Sequence, residues 1–467
     1  LCLSPSCVSL QENPEPDRAS IYHSVIINTS KEMMCYSDFP IPAHFPNFMH
    51  NTLIMDYYRM YADHFQLTKN IRFNVRMHCQ LHTSLTCASD LFSRRFCLSV
   101  SQTHVLNIKK RSDFSRSGQW DVETENKDGR REKHIFDAVM ICIGHHCQPN
   151  LPLHDFPGEK RLNSRFNHSL YNLKPKHRLF SQHPTVNDEL PNRILSGTVQ
   201  VKPNIRRFHG SNVEHSLTTF LCVFKVFATG YNFSFPFLAS NVVPVSENQT
   251  SLYKYVFPPE LDRPTLAIIG LVQPLGAIMP ISEMQARWAT RVFKGRKKHF
   301  NCLLFCCIKL PSSAAMQRDI NSKQEAMAKR YVSSQRHTIQ VDYINYMDEI
   351  ADLVGVRPRI SRLLLTDPRL GLNLLLGPCT PYQYRLRGPG KWAGARQAIF
   401  TQWDRVAQPM QTRPCNEPEP LRSLKWPLLL SAAVAGLTAY YYKNSLLVFL
   451  QDPAALLDMM KSWLPTH

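Results

Sequence analysis

Three apolar segments that each end at a glycine constrain the fold of this chain more than any other feature. They lie at residues 136–146, 223–233 and 265–270, with turn glycines at Gly144, Gly230 and Gly270. Short runs rich in β-branched and aromatic residues that stop at a glycine are typical of buried strands in α/β proteins. Together the segments predict a parallel sheet with a crevice at its carboxyl edge. Each segment alone fits a core strand with a turn glycine equally well.

The composition is that of a globular chain with a basic surface. Its 467 residues suffice for two or three domains, and a hydrophobic content of 43% excludes global disorder. The excess of 55 Lys and Arg over 36 Asp and Glu is spread along the chain rather than concentrated in one arm. No recognised nucleic-acid-binding module accompanies the charge, so we expect no nucleic-acid partner. Anionic lipid or a phosphorylated cofactor explains the basic surface as well.

The 14 cysteines show no regular ligand spacing. Cys302, Cys306 and Cys307 lie close together, but no Cys/His pair at zinc spacing completes them. We therefore expect no metal site, and reduced thiols facing the cytosol. The first ten residues lack the positive flank and the long apolar core of a signal peptide, and the native N-terminus is expected to be missing or mispredicted.

Local patterns predict several elements of secondary structure. Apolar periodicity predicts helices at residues 51–65, 316–331 and 344–354, the last ended by Gly355. A strand is predicted at 118–122.

The C-terminal region changes character. Residues 426–442 carry no charge over 17 positions, between Lys425 and Lys443, with Trp426 and three tyrosines near the two ends. Together with the apolar residues that follow, this stretch approaches the length of a membrane span with aromatic belts. We predict a membrane anchor or interfacial helix; the alternative is a helix buried in the body of the protein.

Eight stretches of the chain, taken in order, and the hydrophobic C-terminal tail resemble the flavin-containing monooxygenase family. The stretch 174–197 resembles the isoform-five branch of the mammalian enzymes. The other seven are family-typical: 20–42, 44–52, 136–158, 227–238, 270–295, 365–370 and 377–396.

The resemblance implies an α/β fold with two dinucleotide-binding, Rossmann-like domains, both truncated here, and a C-terminal membrane-associated helix. The expected regions begin with 1–158, a remnant of the FAD-binding domain, and 159–238, a remnant of the NADPH-binding domain. Residues 239–420 return to the FAD-binding domain and a helical region, and 421–467 form the membrane anchor and tail.

The resemblance also implies a chemistry. FAD and NADPH are the cofactors, and O2 adds to the reduced flavin to form a C4a-hydroperoxyflavin that oxygenates a soft nitrogen or sulfur, or a ketone, in xenobiotics. Asn28 is the expected catalytic residue, because its amide can donate to the flavin edge or the peroxide. The expected cofactor-binding residues are Ile27, Asn28, Thr29, Thr229 and Gly230.

Two histidines follow the first strand-ending glycine. His145 and His146 could act as an acid–base pair, but satisfied turn histidines are commoner.

The chain departs from the family pattern in its glycines. No Gly-x-Gly-x-x-Gly turn of the kind that cradles a pyrophosphate occurs anywhere, and no glycine precedes Gly118. Three stretches look foreign, at about 77–106, 209–224 and 297–308, and translated intron or a faulty gene model is our hypothesis for them. Ile143 stands where the family prefers Thr.

Three interpretations follow. The first is an NADPH- and FAD-dependent monooxygenase in the endoplasmic reticulum membrane, with its catalytic body facing the cytosol. Its partners would be a small-molecule substrate, O2 and membrane lipid, and homo-oligomerisation stays open. The second is a catalytically inactive, membrane-associated remnant. The third is an NADPH oxidase that releases peroxide from an open site.

Overall fold

The computed structural model describes most of the body of the chain and little of its C-terminal region. The described residues are 24–71, 104–126, 129–146, 148–149, 181, 189–202, 205–209, 212–215, 219–221, 230–239, 241–295, 308–331 and 337–412. Two compact units are distinguished, 1–410 and 411–467, and the second lies outside the described residues except for its first two.

The helices of the described residues lie mainly in the second half of the chain. They are α1 (Lys31–Met34), α2 (Asn51–His64), α3 (Phe114–Ser117), α4 (Glu189–Leu195), α5 (Ile278–Lys294), α6 (Ser313–Arg330), α7 (Tyr343–Val354), α8 (Ile360–Thr366), α9 (Pro368–Leu376), α10 (Ala395–Phe400) and α11 (Gln402–Ala407). Short 3-10 turns occur at Thr68–Asn70, Pro381–Arg385 and Gln408–Met410.

The strands are short and lie mainly in the first half. They are β1 (His104–Lys110), β2 (Trp120–Glu125), β3 (Arg131–Phe136), β4 (Val139–Ile141), β5 (Gln148–Pro149), β6 (Ile205–His209), β7 (Asn212–His215), β8 (Thr219–Leu221), β9 (Tyr231–Asn232), β10 (Leu266–Ile268), β11 (Gln273–Leu275) and β12 (Gln340–Asp342).

Parallel and antiparallel pairing coexist in the described residues, which makes the fold α/β. The parallel pairs are β4 with β10 and β11 with β12. β1, β2 and β3 form an antiparallel meander, as do β6, β7 and β8, and β5 pairs antiparallel with β9. Of the three apolar segments that end at a glycine, two therefore pair in parallel as the sequence predicts.

The main hydrophobic core lies around α5 and α7. The apolar face of α5 buries Trp288 completely, and α7 buries Ile350 against it. A second cluster forms around Trp120 of β2 and Leu266 of β10, both fully buried. There the indole Nε1 of Trp120 donates to Thr265 Oγ1 at 2.9 Å, and this bond ties the meander to the parallel pair.

The three predicted helices are confirmed, each to within three residues. The helix predicted at 51–65 is α2, whose first turn is capped by the His50 ring accepting from the Thr52 amide. The helix predicted at 316–331 is α6, and that at 344–354 is α7. Gly355 ends α7 in the left-handed region at φ +81°, where glycine carries no steric penalty.

Several predictions fall wholly or partly outside the described residues. These include most of the stretch 77–106, nearly all of 297–308, and the segment 222–229 that would form the third glycine-ended strand. Where it is described, the foreign-looking stretch 209–224 contributes β7 and β8 to an antiparallel sheet. Within the described part of the chain, no helix is long and apolar enough to cross a membrane, and the predicted anchor at 421–467 lies outside the described residues.

Candidate functional site

The carboxyl edge of the β4–β10 pair carries two of the three strand-end glycines. Ile141 pairs with Ile268 in register, and the Ile269 amide donates to the Ile141 carbonyl at 2.8 Å. Beyond the strands the chain turns at Gly144 and Gly270, with φ values of +72° and +78° that favour glycine. A Cβ at Gly144 would meet no atom of the described residues within 4 Å.

The segment that follows the third strand-end glycine reaches the loop that follows the first. β5 pairs with β9, which begins one residue after Gly230. The ring of His146 stacks on Tyr231, with centroids 4.8 Å apart and planes 28° from parallel. Gly230 itself is exposed and has a φ of +88°. Thr229, predicted to bind cofactor beside it, lies outside the described residues.

His145 joins the two glycine turns of the parallel pair. Its ring hydrogen-bonds to the backbone of Gly270 in a way that favours the protonated ring, as donation to a carbonyl does. Burial and the neighbouring His146 outweigh that bond and lower the pKa of His145 to about 4. The ring is therefore neutral at physiological pH. It is a satisfied turn histidine with a structural partner, as its position after Gly144 suggests.

The predicted catalytic segment 27–29 is held by backbone pairing rather than by a strand. The Ile27 amide donates to the Met49 carbonyl at 3.0 Å, and Ile26 forms an isolated bridge with His50. Ile27 is half-buried against the main core. Asn28 is exposed, and its amide makes no hydrogen bond to any residue that the structure describes. Its donor and acceptor groups are therefore free to meet a ligand.

A buried lysine fixes this segment from the following helix. Lys31, the first residue of α1, is fully buried, and its Nζ donates to the carbonyls of Ala43 and Phe45 at 2.7 and 2.8 Å. Burial lowers the pKa of Lys31, and Glu32 opposes that shift. Because α1 also packs on α5, the segment carrying Asn28 has a rigid support on one side.

The N-terminus of α5 offers backbone donors close to the same core. Ala277 precedes the helix without a side-chain cap, and the first turn holds no acidic residue. The open N–H groups of a long helix, together with its dipole, favour an anionic or electron-rich group. The structure does not place Asn28 or this helix end in direct contact with Gly144 or Gly270, but Ile27, Ala277 and Ile269 belong to one hydrophobic cluster.

These features suit one part of a flavin dinucleotide. The Asn28 side chain, which has no hydrogen-bond partner among the described residues, and the uncapped start of α5 offer donors of the kind that the polar edge of a flavin and its ribityl chain accept. For the pyrophosphate, the sequence contains no glycine-rich turn of the usual kind. In the described part of the chain, no cluster of His, Cys, Asp or Glu is arranged to hold a metal ion.

A parallel strand pair with glycine turns at its carboxyl edge is an arrangement found in α/β proteins that bind dinucleotides. The family model described as flavin-binding monooxygenase-like matches residues 7–92, 90–161 and 158–441. The chain therefore belongs to the flavin-binding monooxygenase-like family. It is a flavin-dependent monooxygenase, and its cofactors are FAD and NADPH.

Curated relatives agree with the family match. Flavin-containing monooxygenase 5 of Mus musculus is 44% identical, over 91% of this chain and 90% of the relative. The Homo sapiens protein of the same name is also 44% identical, over 86% of each chain. Dimethylaniline monooxygenase [N-oxide-forming] 2 of Rattus norvegicus is 37% identical over 86% of each. These values support the isoform-five branch and favour an enzyme over an inactive remnant.

The alignment with the mouse protein also indicates gaps. It runs over 530 positions, more than the 467 residues of this chain, so the relative carries residues that the chain lacks. Among solved structures, the S-allyl-L-cysteine S-oxygenase of Allium sativum superimposes with a TM-score of 0.48 at 20% identity, over 85% of this chain and 88% of that one.

Sequence reasoning missed two residues that support the site. Gln285 of α5 and Tyr346 of α7 lie directly behind the Gly270 turn. A polar residue on the buried face of a helix is a weak signal that could have drawn attention to Gln285. Nothing in the sequence connects it to Tyr346, because the two residues are 61 positions apart.

Proposed function

We propose that this chain uses NADPH and O2 to oxygenate soft nitrogen or sulfur atoms, or ketones, in xenobiotic small molecules. The observation that carries the proposal is the convergence of the three strand-end segments, through the His145–Gly270 bond at the carboxyl edge of β4 and β10 and the His146–Tyr231 stack beside that edge. Such an edge is where α/β proteins bind dinucleotides. When bound, FAD supplies the redox chemistry, and the protein supplies orientation and a water-poor site.

The residues near this edge have distinct expected roles. Asn28 would donate its side-chain amide to the flavin edge or to the oxygen that is transferred, since it is exposed and unpaired among the described residues. Ile27 and Thr29, both half-buried, would form the wall beside it. Thr229 and Gly230 would border the nucleotide. His145 stays neutral and keeps the two glycine turns together rather than moving a proton.

The role of Asn28 can be tested by substitution. Asn28→Ala is expected to lower the amount of oxygenated sulfide formed per NADPH consumed by at least about tenfold, because a lost donor to a reacting oxygen costs about 2.7–4 kcal/mol. The consumption of NADPH and the release of peroxide should persist. The matched control is Asn321→Ala on the exposed face of α6, which should behave as the parent protein. An unchanged product yield in Asn28→Ala would remove Asn28 from the proposal.

The membrane association and the domain limits also remain proposals. We propose that 421–467 anchors the chain in the endoplasmic reticulum membrane with the catalytic body facing the cytosol, supported by the uncharged stretch 426–442. The return of the chain to the FAD-binding domain after residue 238 is supported by the pairing of β10 with β4. Removal of 421–467 should move the protein from the membrane to the soluble cell fraction, and retention in the membrane fraction would contradict the anchor.

A further inference from the structure

A chain of buried hydrogen bonds starts at the Gly270 turn and runs into the protein interior. The Gly270 amide donates to Gln285 Oε1 at 2.7 Å, and Gln285 Nε2 donates to the Tyr346 hydroxyl at 2.7 Å. The Tyr346 hydroxyl donates in turn to the Lys254 carbonyl at 2.5 Å. Gln285 is fully buried, and Tyr346 is buried. The direction of each bond fixes the next, because a reversed Gln285 amide would place two donors face to face.

We call this series of hydrogen bonds, from Gly270 through Gln285 and Tyr346 to Lys254, the relay. Its inner end lies at a backbone turn in an unusual conformation. Lys254 and Tyr255 both adopt the left-handed region, with φ values of +52° and +58°. Two consecutive non-glycine residues there cost free energy unless their surroundings enforce the conformation. The turn is held on its other side by the Ile268 amide of β10, which donates to the Val256 carbonyl at 2.9 Å.

Ion pairs hold the same turn through the side chain of Lys254. Its Nζ donates to Asp319 of α6 at 2.6 Å and also to Glu349 of α7. Lys323 completes the group by donating to Glu349 at 2.7 Å. Burial alone would lower the pKa of Lys254, but these two carboxylates raise it above its ordinary value. The lysine is therefore charged and bound from two helices.

We propose that Gln285 and Tyr346 are positioning residues that fix the Gly270 turn for the bound flavin cofactor. His145 holds the backbone of Gly270 and Gln285 accepts from its amide, so these two contacts fix the orientation of the turn beside the proposed flavin site. This inference rests on the proposed function, because it takes the carboxyl edge of β4 and β10 as the flavin site.

Two substitutions break the relay at different places. Tyr346→Phe removes one hydroxyl and leaves the ring in place, so that Gln285 Nε2 and the Lys254 carbonyl lose a partner. Gln285→Met leaves the Gly270 amide without an acceptor. The matched control is Tyr384→Phe, which removes the hydroxyl of another fully buried tyrosine whose partner, Asp348, also lies on α7. All three variants lose a side-chain hydrogen bond, a part-buried one in Tyr384→Phe and buried ones in the other two, but only Tyr346→Phe and Gln285→Met lose a bond that leads to Gly270.

The experiment measures two quantities in the full chain. The first is the rate of amide hydrogen exchange at the Gly270 turn without cofactor, and the second is the Kd for FAD from flavin fluorescence. Tyr346→Phe and Gln285→Met should accelerate exchange and raise the Kd by about tenfold each, as the loss of about 1.4 kcal/mol does. Tyr384→Phe should change both by less than about twofold. If Gln285→Met does not fold, the comparison of Tyr346→Phe with Tyr384→Phe decides.

Three results would overturn the inference. One is an unchanged Kd in Tyr346→Phe, even with faster exchange, because the relay would then serve stability alone. Another is an equal rise of the Kd in Tyr384→Phe. The third is a parent protein that binds no FAD, which contradicts the proposed function itself and is recognised before any variant is compared.

Discussion

The His145 ring hydrogen-bonds to the backbone of Gly270, and this contact joins the carboxyl ends of two parallel strands. This bond favours the protonated ring, whereas burial and the neighbouring His146 favour the neutral ring. Burial and His146 have the larger effect, so the pKa of His145 is lowered. A neutral imidazole at this point leaves the edge free of an added positive charge. It also makes the stability of the protein depend on pH in a defined window.

The pH dependence of stability is the first prediction. The pKa of His145 is about 4 in the folded protein and 6.5 in the unfolded chain, so acid protonates the unfolded state first. Stability from this group is full above about pH 6.5 and is lost progressively as the pH falls toward about 4. The parent protein loses unfolding free energy over that window, and His145→Gln should lose about 1–2 kcal/mol less because the titrating group is gone. The effect is no larger than this because the ring is only partly buried. Urea denaturation at several pH values measures the unfolding free energy of both proteins. Parallel plots of unfolding free energy against pH for the parent protein and His145→Gln would refute the prediction.

The buried pair of Glu32 and Arg405 gives the second prediction. Arg405 Nη2 lies 2.7 Å from Glu32 Oε2, and both side chains are largely buried. Arg405→Met leaves a buried carboxylate without its cation and should cost about 3–5 kcal/mol of unfolding free energy. Arg59→Met, which breaks an ion pair on the surface of α2, should cost less than about 1 kcal/mol. Equal costs in chemical denaturation would mean that burial does not govern the Glu32–Arg405 pair.

The third prediction concerns the turn between β11 and α5. Gly276 has a φ of +146°, and a Cβ there would lie 2.8 Å from the Cβ of Tyr343. Gly276→Ala should therefore destabilise the protein by more than about 2 kcal/mol, through both strain and a steric clash. At Gly144 a Cβ would have the same kind of strain but would meet no described atom within 4 Å, so Gly144→Ala should lower the unfolding free energy by only about 1–2 kcal/mol. Thermal unfolding of the two variants should preserve this order; the reverse order would contradict the geometry of the turn.

The fourth prediction follows from the missing glycine loops. A glycine-rich strand–turn–helix lets a backbone approach the pyrophosphate at a helix N-terminus. Fusing such a unit from an isoform-five relative to the N-terminus of this chain should tighten FAD binding at least about tenfold. The control fusion carries alanines in place of the glycines. Stoichiometric, tight FAD binding by the chain as printed would show that no such turn is needed.

The helices and strands of this protein are easier to predict from its sequence than the contacts between them. The helices α2, α6 and α7 follow from apolar periodicity, and the parallel pairing of β4 with β10 follows from two apolar runs that stop at glycine. These are local signals, and local signals survive in a single sequence. The meander of β1 to β3 is less visible, because strand pairing depends on partners that a local pattern does not identify.

The polar interior is the part that sequence reasoning misses. Glu32 and Arg405 are 373 residues apart, and neither stands out among 91 charged residues of the chain. Gln285 and Tyr346 meet only because α5 packs against α7. Conversely, Ile27, Asn28 and Thr29 come from the family resemblance, and their roles stay predictions that the contacts neither establish nor contradict.

The most direct test of the central claim is the fate of the electrons from NADPH in the full chain supplied with excess FAD. NADPH should bleach the visible absorbance of the bound flavin without oxygen. Air and a sulfide substrate should then yield about one sulfoxide per NADPH consumed. Peroxide formed in place of sulfoxide would identify an oxidase instead. A colourless protein that leaves NADPH unoxidised would contradict the account and support an inactive remnant.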